Sequence, residues 1–123
     1  MQLDHINISA PMDLLREVRD FYCAVLGLRE GPRPDFSRPG YWLYAGDQPL
    51  VHLSESKVHY VSEQKGHLDH VAFRTTDLDA LVARLESWGV SYTKVHVPER
   101  GMTQVFFSDP AGTGLEVNSG EQH

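Results

Sequence analysis

The chain predicts an α+β fold of two tandem βαβββ modules, and three observations predict it. Leu3-Asp4-His5-Ile6-Asn7-Ile8 returns as Leu68-Asp69-His70-Val71-Ala72-Phe73, offset by 65 residues. Trp42-Leu43-Tyr44-Ala45-Gly46-Asp47 is echoed by Val105-Phe106-Phe107-Ser108-Asp109, and Leu50-Val51-His52-Leu53 by Gly114-Leu115-Glu116-Val117. Each half also reads as a strand, a helix and three further strands.

Residues 2–9 alternate apolar and polar side chains, as a strand with one buried face does. Residues 13–26 set Leu14, Leu15, Val18, Phe21, Tyr22, Val25 and Leu26 at helical spacing, after Pro11 and Asp13 and before Gly27. Three prolines and two glycines in 29–40 read as a short strand and an irregular loop. Strands at about 41–45 and 49–54 flank a Gly46-Asp47 turn. The first module is thus about 1–55, joined through a polar connector of about 56–66 to a second module of about 67–119. That module repeats the order: strand 67–74, helix 77–88, and strands 91–97, 102–108 and 113–118. Leu78, Leu81, Val82, Leu85 and Trp88 form its helical stripe, Gly89 ends it, and Asp109-Pro110-Ala111-Gly112 turns the chain between the last two strands. The tail from Ser119 reads as frayed.

Length and composition narrow the function. The 123 residues suit one domain, and 41% hydrophobic with 23% charged residues is ordinary for a globular protein. A net charge of −6 argues against nucleic-acid binding, which needs clustered Lys and Arg. No run of about 18 apolar residues exists to span a membrane, and no leader pattern opens the chain. Cys23, the only cysteine, fits a reducing cytoplasm and reads as a small core residue.

The repeat gives each half a metal-capable side chain near its start and another near its end. Strand alternation turns His5 and His70 away from the helix-packed face of Ile6, Ile8, Val71 and Phe73. His52 lies between Val51 and Leu53, and Glu116 between Leu115 and Val117, so both point the same way. A lone strand histidine is more often a hydrogen-bonded rim residue than a ligand. Recurrence in register is what favours the functional reading. Two imidazoles, one carboxylate and open positions suit a catalytic divalent ion. His59, His67, His96 and His123 read as solvated.

These features together carry a resemblance. The doubled βαβββ order, the two Leu-Asp-His starts and Asp109-Pro110-x-Gly112-x-x-x-Glu116 resemble the vicinal oxygen chelate superfamily over almost the whole chain. That group includes glyoxalase I, methylmalonyl-CoA epimerase, fosfomycin-resistance thiol transferases, extradiol dioxygenases and bleomycin-resistance proteins. The resemblance implies a curved-sheet cup with His5, His70 and Glu116 as metal ligands. His52 falls in a fourth slot where lyase and isomerase members usually hold Glu or Gln, so it is either a further ligand or a general base.

The resemblance further implies one divalent ion (Fe, Zn, Ni or Mn) acting as a Lewis acid on a small substrate with vicinal oxygens. It implies a homodimer with shared active sites as well. His52 is the expected proton carrier. Tyr44, Arg100 and Gln104 are expected to bind substrate within aromatic walls, and Tyr60 to lie in a lid. A metal-dependent lyase or isomerase of glyoxalase type leads, in the cytoplasm. An Fe(II) extradiol-type dioxygenase and a non-enzymatic, bleomycin-resistance-like sequestering protein are the alternatives.

Overall fold

A computed structural model describes residues 1–58 and 66–120. The chain divides into two compact units, Met1–Gln64 and Lys65–His123. Each has the expected βαβββ order. The first contains β1 (Ile6–Ala10), α1 (Met12–Val25), β2 (Arg29–Gly31), β3 (Gly40–Ala45) and β4 (Gln48–Glu55). The second contains β5 (His70–Thr75), α2 (Leu78–Ser87), β6 (Thr93–Val97), β7 (Met102–Ser108) and β8 (Gly114–Ser119), with a short 3-10 turn at Pro98–Arg100. The sheet orders are β1-β4-β3-β2 and β5-β8-β7-β6. In each, the first strand runs parallel to the last and the other neighbours are antiparallel.

The helices show why local pattern specified these elements. In α1, Leu14, Leu15, Val18, Phe21, Tyr22 and Val25 are buried, as the spacing predicts. They cover Leu43, Val51 and Leu53 of the sheet, each fully buried. Cys23 is half-buried in this helix, and burial pushes its thiol up from the ordinary value, as suits an inert packing residue. In α2 the stripe is narrower than expected. Only Leu81 and Leu85 are buried: Leu78 and Val82 are half-buried, and Trp88, the C-cap beyond the helix end at Ser87, is 49% exposed. Asp77 caps the start, accepting from the Ala80 N–H at 3.1 Å.

The first strand is shorter than the sequence predicts, with a physical cause. Pairing with β4 begins at Ile6↔Val51. The residues before Val51 are Leu50 and Pro49, and proline has no N–H to donate to a ladder. Leu50 is also the extra residue in a bulge, since Leu43 pairs with Val51 but Tyr44 pairs with Pro49. His5 therefore lies just outside β1, whereas His70 is the first residue of β5. Most of the connector, including His59 and Tyr60, lies outside the described residues, as does His123. Ser119, expected to fray, closes β8.

Candidate functional site

Strand register makes His52 and Glu116 equivalent. His52 pairs with Asn7 on β1 and Trp42 on β3. Glu116 pairs with Ala72 on β5 and Phe106 on β7. Alternation buries Val51 and Leu53 beside His52, and Leu115 and Val117 beside Glu116. It turns His52 and Glu116 to the opposite face.

In the second module, His70 Nε2 stands 3.1 Å from Glu116 Oε1. The other ring nitrogen, Nδ1, donates to Asp69 Oδ2 at 2.8 Å. Gln104 Nε2 donates to Glu116 Oε2 at 3.0 Å. Glu116 is only 7% exposed, so its charge needs these partners. The Phe106 ring meets His70 edge-on, with centroids 6.3 Å apart. Beside this cluster, Asn118 Oδ1 is buried and accepts no hydrogen bond. Arg100 ends the 3-10 turn and is exposed.

The first module replaces the carboxylate with a stack of rings. His5 lies on His52 at 3.7 Å between centroids and 10° between planes. His52 lies on Trp42 at 4.1 Å and 16°. His5 Nδ1 donates to Asp4 Oδ2 at 2.7 Å, repeating the Asp69–His70 arrangement. His52 Nε2 donates to the Pro49 carbonyl at 3.0 Å, which leaves Nδ1 as the acceptor nitrogen. Burial, with a smaller push from neighbouring His5, holds His52 below the ordinary imidazole value.

A cleft of about 580 Å³ opens over this stack. His5, Trp42 and His52 form one part of its lining, and Arg33, Phe36 and Arg38 from the loop after β2 form another. Gly40 holds that loop close, because a Cβ there would lie 2.0 Å from the Leu53 carbonyl oxygen. Tyr44 sits beyond the bulge, and its hydroxyl donates to the Pro32 carbonyl while Arg29 covers its ring. It is not part of the cleft lining.

One histidine–carboxylate pair, His70 with Glu116, has the spacing of two donors to a single divalent ion. An imidazole with a carboxylate oxygen at each nitrogen needs a positive partner at both, either two protons or one proton and one cation. Two cis donors about 2.1 Å from one ion stand about 3.0 Å apart, close to the His70–Glu116 separation. An aspartate fixing the Nδ1 tautomer is the usual support of a ligating imidazole. Among the described residues, no three His, Cys, Asp or Glu side chains group to hold an ion. His70 pairs with Glu116, and His5 pairs with His52.

Sequence reasoning missed Asp4, Asp69, Arg33, Phe36 and Arg38. The aspartates stood in the repeated Leu-Asp-His motif, and their recurrence was the available signal. The loop residues have no period to mark them.

The Glyoxalase/Bleomycin resistance protein/Dioxygenase superfamily model matches residues 2–117, and the chain belongs to that family. It is 29% identical over 128 residues to a lactoylglutathione lyase of Pseudomonas aeruginosa, covering 80% of this chain and 72% of that protein. A glyoxylase/bleomycin resistance protein/dioxygenase domain from Frankia sp. EAN1pec superposes with a TM-score of 0.79 at 22% identity, over 98% of both chains. An integron cassette protein from the mobile metagenome of the Halifax Harbour sewage outfall gives 0.71 at 26% identity, over 96% of this chain and 97% of that one. Among the described residues, no helix is long and apolar enough to cross a membrane.

Proposed function

We propose that this chain is a metal-dependent lyase or isomerase of glyoxalase type, with His5, His70 and Glu116 as the metal ligands. The observation that carries this reading is the His70 imidazole, held at Nδ1 by Asp69 and facing Glu116 at Nε2. The similarity to a lactoylglutathione lyase supports the reaction class. His5 comes from the same chain or, in a homodimer with shared sites, from a second copy.

When bound, the divalent ion supplies a Lewis acid for the oxygens of a substrate with adjacent oxygen atoms. Asp4 and Asp69 fix the tautomers of His5 and His70, leaving each Nε2 to ligate. Gln104 holds the Glu116 carboxylate in place. His52 carries the proton: its depressed basicity keeps it neutral near pH 7, and its acceptor Nδ1 can take a proton and return it. Phe36 and Trp42 give the cleft apolar walls. Gln104 and Arg100 are the second module's candidates for orienting a polar substrate group. Tyr44 acts from outside the cleft lining, as a brace for the loop.

Metal analysis of protein purified without chelator tests the reading, paired with an anaerobic assay of thiohemiacetal isomerisation. Bound metal and oxygen-independent turnover support it. Oxygen uptake with a catechol instead would establish the dioxygenase reading. Protein that takes up no divalent ion and gains no activity from any would overturn this reading and favour a sequestering role. Dilution to monomers should abolish metal binding if sites are shared, and tight retention by a verified monomer would exclude sharing.

A further inference from the structure

Of the first module's five arginines, Arg29 donates to the Gly46 carbonyl at 3.2 Å, and the other four fall into two groups. Arg16 donates to Asp13 at 2.6 Å, and Arg19 donates to Asp20 at 3.0 Å. Arg33 and Arg38, in the cleft, have no carboxylate partner among the described residues. Arg33 Nη2 donates to the Arg38 carbonyl at 2.9 Å, and its guanidinium lies 4.9 Å from the Phe36 ring centre. Its Nε is buried without a hydrogen-bond acceptor. Arg38 Nη2 donates to Ser54 Oγ at 3.1 Å, and Ser54 Oγ in turn donates to Asn7 Oδ1 at 3.1 Å.

Two guanidiniums without a carboxylate partner among the described residues thus line one cleft, in a chain of net charge −6. Asp4, the one acid in the cleft lining, is turned to His5 Nδ1 at 2.7 Å. A guanidinium fork matches an oxyanion in shape as well as charge.

We infer that this cleft is a subsite for an oxyanion head group, a carboxylate or phosphonate, held by Arg33 and Arg38. The substrate's apolar body lies against Phe36 and Trp42, which places it beside His5 and His52 in the same cleft. This deepens the enzyme reading and rests on it for the word substrate. The predicted substrate is therefore an organic acid. The overall negative charge disfavours anions at long range, so selectivity for the acid resides in these two side chains.

Calorimetric titration of the full chain with benzoate, phenylphosphonate and neutral benzamide tests the assignment. The acids should bind at least about tenfold more tightly than the amide, since charge-assisted hydrogen bonds are roughly twice as strong as neutral ones. Whichever acid binds more tightly identifies the head group. R33Q and R38Q should each weaken acid binding about tenfold while benzamide binding stays unchanged. Should R33Q melt early because its loop has lost the Arg38 carbonyl contact, the more exposed R38Q carries the test alone.

A Glu116→Ala variant separates this inference from the metal reading, because it removes a proposed metal ligand and leaves the cleft arginines intact. Acid binding that survives in Glu116→Ala supports the arginine subsite, whatever the metal content. Acid binding that disappears there but survives in R33Q and R38Q overturns it and assigns the anion to the metal. Equal affinity for acid and amide also overturns it. Metal analysis of the same preparations decides the enzyme reading by itself.

Discussion

Where β4 and β8 face their sites, one module carries an imidazole and the other a carboxylate. His52 and Glu116 occupy the same register position, between equivalent strands, with fully buried aliphatic neighbours on either side. Around them the chemistry separates. The Glu116 side is polar and ionic, with His70 and Gln104 on the two carboxylate oxygens. The His52 side is a stack of flat rings, His5 on His52 on Trp42, open to a cleft. The two modules thus share a framework and differ at this position, one presenting a carboxylate braced by polar partners and the other a ring stack beside a cleft. The residue opposite the division is telling. Gln104 and Gly40 are equivalent, pairing with Asn118 and Ser54 respectively. The second module uses that position to brace its carboxylate, while the first leaves it empty to admit a loop.

The strongest way to break this division is to exchange the amide for each charged or basic group in turn. Glu116→Gln should abolish metal retention and lower turnover by about a thousandfold, as loss of Lewis-acid stabilisation predicts. His52→Gln should lower turnover by about a hundredfold through loss of a general base, with metal content unchanged. Metal analysis and steady-state kinetics on both variants check this. Equal loss of metal from the two would make His52 a ligand and erase the distinction.

The next effect is on stability and is expected at only one of two equivalent positions. Gly40→Ala places a Cβ against backbone, 2.0 Å from the Leu53 carbonyl oxygen, with no flexible side chain to yield. Overpacking of this kind should cost about 3 kcal/mol in urea denaturation. Gln104→Ala at the matching place should cost below about 1 kcal/mol and act on metal affinity instead. A stable Gly40→Ala protein would mean that the loop stands off β4.

A smaller effect should be common to both modules. Asp4→Asn and Asp69→Asn each weaken the support of a histidine Nδ1, and each should reduce metal affinity about tenfold. Competition with a chelator measures it. A response from Asp69→Asn alone would confine the ion to the second module and remove His5 from the ligand set.

How much of this was legible in sequence follows from the range of each interaction. Period-two alternation needs no tertiary knowledge, so the orientation of His52 between Val51 and Leu53, and of Glu116 between Leu115 and Val117, could be read directly. The helix of the first module was legible for the same reason. Tyr44 was not, because alternation gives it the same face of β3 as Trp42 but not its distant contacts: its ring lies over Gly31 and its hydroxyl on the Pro32 carbonyl, outside the cleft lining. Trp88 was assigned to a buried stripe that the helix is one residue too short to include. Arg33, Phe36 and Arg38 stand in an aperiodic loop placed by one glycine's contact with a strand distant in sequence, which no local pattern encodes. The pairing of His70 with Glu116 required parallel register between the first and last strands of a module, a long-range fact.

The smallest expected effect concerns pH and touches the ring stack alone. Burial and neighbouring His5 hold His52 below the ordinary value of 6.5. As pH falls through about 6.5, the unfolded chain protonates this residue while the folded chain does not, so the unfolded state holds more protons. Stability is therefore intact above that value and declines as pH falls towards the folded pKa. Exposure of part of the ring keeps the decline modest, about 1–3 °C in Tm between about pH 7.5 and about pH 5.5. His52→Gln keeps a donor for the Pro49 carbonyl and removes the titration. Every other histidine is shared by the two proteins, so the difference in their melting curves isolates this one. The gap between wild type and variant should move towards the variant in acid. Movement the other way would mean that the folded protein welcomes a charged His52, as an ion-paired imidazole would be welcomed. The ring stack would then resemble the charged site of the second module rather than contrast with it.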